Sequence, residues 1–159
     1  MNGAHLHILL NHFPVIGLVF TLGLLAAALY WHNDAIGRAG LVALVAIALV
    51  AIPVYLTGEA AEEVVEGFTF VSDEIIEPHE EAGLITFIAL EGIGIIALLG
   101  LVVSRGKRLV RWLVPTALVM NLIAAAWIGY TAYLGGKIVH RESRPGFQPI
   151  EERHEEGER

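Results

Sequence analysis

The run HILLNHFPVIGLVFTLGLLAAALYW, residues 7–31, decides the fold. Beyond its two histidines it carries no ionisable side chain except Tyr30. It exceeds the roughly 20 residues that a helix needs to cross a bilayer's hydrocarbon core. Backbone amides find no water in hydrocarbon, so a helix that pairs them internally is the form such a run takes. A cleaved signal peptide is not expected, because no basic segment precedes the run and its apolar part is too long.

Three similar runs follow, at about residues 39–57, 83–103 and 109–134. The expected architecture is an all-α, four-transmembrane-helix bundle over residues 1–140, followed by a charged tail over residues 141–159. Composition agrees. Of 159 residues, 55% are hydrophobic and 17% charged, against about 25% charged in soluble domains. The mean hydropathy is +0.64. A soluble globule of this size needs a polar surface, and a disordered chain needs low hydrophobicity. There is no cysteine, which excludes disulfides, zinc–thiolate sites, cysteine-held iron–sulfur clusters and thiol catalysis. A net charge of −7 argues against nucleic acid, which calls for a basic footprint. Ser72, Ser104 and Ser143 lie in no nucleophile-elbow motif, so hydrolase chemistry is not expected.

Charge gives an orientation. The connection between the third and fourth runs holds Arg105, Lys107, Arg108 and Arg111 and no acid. Residues 58–82 hold nine acids and neither lysine nor arginine. The positive-inside rule places the basic loop in the cytoplasm, and with it the short loop near Arg38. Both termini and the acidic loop are then expected outside. Within that loop Glu59, Glu62, Glu63 and Glu66 recur at helical spacing, with Val64, Val65, Phe68 and Phe70 as an apolar side. One or two short amphipathic helices are expected there, with the acids as a solvated face, a carboxylate metal site or a surface for a basic partner. Pro14 and Pro53 are expected to kink their helices. The small residues of the spans suit close helix packing.

The histidines carry the functional reading. His5, His7 and His12 open the first span, His79 precedes the third and His140 follows the fourth. Alternating helix direction gathers all five at the outer face; His32 falls inside and His154 in the tail. Imidazole is the commonest metal ligand. His5 and His12 share a face of an ideal helix, about 10 Å apart along its axis, whereas His7 and His12 diverge by about 140°. Pro78 marks the expected start of the third helix, with His79 just behind it. Histidines on facing helices suit b-type haem held by two imidazoles. His12 and His79 are the favoured axial pair, with His7 and His140 next, for a second haem. A non-haem copper, zinc or iron site built from His5, His7, His12 and His79 with Glu59, Glu62, Glu63 or Glu66 is the rival reading. A structural subunit without cofactor is a third.

The stretch His7-Ile-Leu-Leu-Asn-His12-Phe13-Pro14-Val15-Ile16 resembles the opening of the bacterial membrane family called domain of unknown function 2231. Leu134-Gly135-Gly136-Lys137-Ile138-Val139 resembles the close of that family's fourth helix, and His79 fits a histidine that opens its third. The family is similar to four-helix di-haem b-type cytochromes, which pass electrons between quinones and other carriers. The resemblance implies His7, His12 and His79 as ligand positions, a multi-pass protein of the bacterial inner membrane, and other redox subunits or an external electron carrier as partners. This chain departs from the pattern at Ile8, at His140 and in its acidic loop.

Glu91 is the only acid inside the spans. A charged carboxylate there costs on the order of 3 kcal/mol. It is expected to be neutral and to hydrogen-bond Asn121 of the fourth span, either as a structural pair or as a proton-handling group beside a quinone. Tyr130 and Tyr133 are expected in the interfacial aromatic belt with Trp127, or lining a cofactor pocket.

Overall fold

Proline sets the first break in the chain. Pro14 lacks an N–H and crowds the carbonyl four residues back. The first run accordingly divides at Asn11 into α1, Gly3–Leu10, and α2, His12–Tyr30. The computed structural model describes residues 2–147. His154 and the rest of the tail expected beyond residue 147 lie outside the described residues. The remaining elements are α3, Asp34–Leu56, α4, Gly58–Glu66, α5, Asp73–Val103, and α6, Leu113–Val139, with a 3-10 turn at Arg141–Ser143. Among the described residues there is no strand.

Four segments, Gly3–Tyr30, Asp34–Glu66, Asp73–Val103 and Leu113–Val139, are long and apolar enough to cross a membrane. Their ends differ from those expected. α3 starts at Asp34 because the Asn33 side chain accepts from the N–H groups of Ala35 and Ile36, at 2.8 and 3.2 Å. α5 starts at Asp73, ahead of Pro78 and not at it. The Pro78 ring frees only the carbonyl of Glu74, an exposed residue close to the helix start, so the helix continues through it. Between α4 and α5 the chain turns at Phe68 and Val71, so one short helix fills the acidic connection.

The long helices close a ring in which α2 packs on α3, α3 on α5, α5 on α6, and α6 back on α2. Leu18, Leu25, Leu41, Leu90, Ile93 and Leu113 fill its centre. Small residues set the approach of α3 and α5, where a Cβ at Gly94 would collide with that of Ala48. The outward surface is as apolar as the core. Ile16, Phe20, Leu49, Val103 and Ile123 are exposed by 66, 63, 63, 66 and 65%. A belt of that extent is far beyond the scattered apolar residues of a soluble monomer, and it is compatible with a multi-pass membrane protein.

The two ends of the ring are built differently. At the basic end Arg38 donates to the carbonyls of Ser104 (2.9 Å) and Lys107, and Asp34 accepts from the N–H of Leu109 at 3.1 Å. At the histidine end α1 packs on α4 and α3. There Arg144 donates to the carbonyls of Lys137 and Ile138, both at 2.8 Å, and of Phe70 at 2.6 Å. It closes the last turn of α6 and draws the chain after it over the Phe70 ring.

Candidate functional site

Alternating helix direction brings His5, His7, His12, His79 and His140 to one end of the bundle. Their surroundings separate them. His5 is exposed, its backbone N–H and its Nδ1 both 3.0 Å from the Asn2 side-chain oxygen that caps α1. His12 is exposed, and its Nδ1 meets the Ile8 carbonyl of the preceding turn at 2.9 Å. The helical pattern is interrupted at Asn11, between His5 and His12, although Asn11 keeps helical backbone angles. His140 is exposed beyond α6, its Nδ1 3.0 Å from a Glu142 carboxylate oxygen. His32 lies at the opposite end with φ at 51°.

His7 and His79 reach into other helices. His7 Nδ1 is 2.9 Å from the carbonyl of Val54 on α3. His79 Nδ1 is 3.0 Å from the carbonyl of Thr131 on α6. A carbonyl only accepts, so each ring is the tautomer that carries its proton on Nδ1. In the neutral ring Nε2 then keeps its lone pair. This is the arrangement that metal-bound histidines adopt, the second nitrogen being fixed by a backbone carbonyl.

A glycine permits the His79 contact. A helix carbonyl is covered by the residue four positions on, and here those residues are Gly58 after Val54 and Gly135 after Thr131. A Cβ at Gly135 would stand 2.8 Å from His79 Cε1 and 3.2 Å from Nδ1; one at Gly58 would stand 3.9 Å from His7 Cε1. Beneath His79, hydroxyls fasten α5 to α6. Thr131 and Thr86 share a hydrogen bond of 2.8 Å, and the Ala82 carbonyl accepts from Thr86 and from the Trp127 indole.

The carboxylates do not complete a metal site. Glu59, Glu63 and Glu66 are exposed on α4. Glu62 turns instead toward Glu80 at the start of α5, carboxyl against carboxyl. Among the described residues no three histidine, aspartate or glutamate side chains converge on a position for a metal ion. A haem iron would need no third protein ligand beside two imidazoles, and the donor chemistry of His7 and His79 would suit it. Two surface cavities, of about 240 and 220 Å³, are lined by no histidine.

The expected bond between Glu91 and Asn121 is not formed. Asn121 is fully buried and donates to Thr21 Oγ1 at 2.7 Å and to the Leu18 carbonyl at 3.3 Å, both on α2. Its own Oδ1 and the Oε1 of Glu91 are buried with no hydrogen-bond partner among the described residues. Tyr130 and Tyr133 are half-exposed, with the Lys137 ammonium 4.3 Å above the Tyr133 ring. They stand on the outward surface with Trp127, as a belt does. The chain matches no known protein family, curated protein or solved structure.

Proposed function

We propose that this protein is a membrane-embedded electron-transfer protein that binds b-type haem at its histidine end, as a subunit or partner of a larger redox chain. The observation that carries this reading is the pair His7 and His79. Two imidazoles from separate helices have Nδ1 fixed on backbone carbonyls and Nε2 free. His7 replaces His12 in the favoured pair, because His7 is held against α3 while His12 stays on the exposed side of α2. His12 and His140 are left for a second haem. When bound, the haem supplies the one-electron chemistry. The chain fixes Nδ1 of each ring on a backbone carbonyl, and hydrogen bonding of this kind tunes a potential.

The short motifs around His7, His79 and Gly135 support kinship with the family named domain of unknown function 2231, and with it the bacterial inner membrane. The basic loop between α5 and α6 supports an orientation with that end in the cytoplasm and the histidine end outside. A one-sided ligand cluster suits exchange with an external carrier or another redox subunit.

The test is the visible spectrum of the purified full chain expressed with ample haem supply. A Soret band and an α band that sharpens on reduction are expected. His7→Ala and His79→Ala should each lose most of the haem, with His12→Ala retaining more than either. A colourless protein holding stoichiometric copper, zinc or iron would replace this reading with the non-haem site. A colourless, metal-free protein would make it a structural subunit.

A further inference from the structure

Four cations stand at the basic end, Arg105, Lys107, Arg108 and Arg111, and all are exposed. Among the described residues none of them forms an ion pair. The loop that carries them is shaped in advance. Gly106 has φ at 70° and closes the turn in which the Lys107 N–H meets the Ser104 carbonyl at 3.1 Å. Arg38 and Asp34 hold the loop from the start of α3. Asp34 is the acid that faces the loop, and it is engaged with the Leu109 N–H.

Directly below lies an apolar crevice of about 220 Å³ between the end of α5 and the start of α6, lined by Ile96, Leu99, Val103, Val110, Trp112 and Leu113. Arg111 falls between two of these lining residues. Trp112 is 60% exposed at its mouth, the position in which an indole sits at headgroup depth. We propose that this end is a binding site for one anionic phospholipid, an acyl chain lying in the crevice and the phosphate on Arg108 and Arg111. A second copy of the chain packed symmetrically over the crevice would set these cations against their own counterparts, whereas a phosphate meets them with opposite charge. The site rests on the membrane reading of the bundle and is independent of haem.

Native mass spectrometry of the full chain in detergent tests it, with phosphatidylglycerol and phosphatidylcholine of identical acyl chains added in equal amounts. Wild type is expected to retain phosphatidylglycerol about 10- to 30-fold over phosphatidylcholine, from two cations at the headgroup. The double variant R108Q/R111Q should fall to near parity, and R108K/R111K should keep most of the preference. Leu99→Trp, which fills the crevice and leaves every charge in place, should lower retention of phosphatidylglycerol about tenfold. Helicity by circular dichroism confirms that each variant is folded. Equal retention of the two lipids by wild type, an unchanged preference in R108Q/R111Q, or a lipid-free dimer overturns the proposal.

Discussion

At one end of the bundle two imidazoles reach into neighbouring helices and stop on backbone carbonyls. At the other a guanidinium and a carboxylate reach across to a loop and stop on backbone groups too. The physical device is shared, a side chain that engages main-chain polarity from a distance in sequence. Its product differs. At the histidine end the ring itself is what gets oriented, with one nitrogen fixed and the other released for use. At the basic end Arg38 and Asp34 are engaged with the loop, and among the described residues the other cations form no ion pair. The difference lies in which atom remains after the bond is made.

The largest expected effect tests the histidine end. Gly135→Ala places a methyl against a ring anchored on Thr131, so it should destabilise by about 1–3 kcal/mol and loosen His79. Gly136→Ala, where a Cβ meets nothing within 4 Å, should be neutral or stabilise by up to about 1 kcal/mol. Thermal melts of the two neighbours in one detergent check this. Equal melting points would break the claim that His79 depends on a missing side chain.

Arg38→Ala tests the basic end. It removes charge-assisted bonds to two carbonyls, worth about 1.5 kcal/mol. Amide exchange at Lys107, whose N–H closes the turn, should quicken. Between the ends, Glu91→Leu should raise stability by about 1 kcal/mol, because it deletes a buried oxygen with no partner. A loss of stability would mean that the carboxyl holds a structural bond.

The smallest effect concerns Glu142. Its carboxyl lies below the ordinary glutamate range, held there first by its own backbone N–H and then by His140. A depressed acid favours the folded tie above its unfolded value and releases it as pH falls through the lower, folded one. Carboxyl resonances followed by NMR should show that midpoint, and His140→Gln should move it upward.

The four long apolar helices were legible because hydropathy is a local quantity, and a single apolar run of about 20 residues pairs its own backbone groups as a helix. Their ends were less so. Pro14 was expected to kink its helix, and the run from Gly3 to Tyr30 is interrupted at Asn11, one turn ahead of it. Pro78 was read as a helix start, and α5 runs through it. The partners of His7 and His79 were hidden, since the carbonyls of Val54 and Thr131 belong to other helices and no pattern of side chains announces them. A trace existed in Gly135, four residues beyond the carbonyl of Thr131 that His79 engages. Asn121 and Glu91 were paired by depth alone. Depth does not say which way a helix faces, and Asn121 faces α2.

That last contact has a consequence for biosynthesis. Every other packed seam in the ring joins helices adjacent among the four spans, so it forms as the chain emerges. The seam between α2 and α6 joins the first span to the final one, with Asn121 bonded to Thr21 across 100 positions of chain. Until translation reaches that amide, the hydroxyl of Thr21 has only the Leu18 carbonyl of its own helix to satisfy it. Closure of the bundle thus waits on the ribosome, and a nascent protein cut short before its fourth long helix would present an open flank to any chaperone or protease it meets.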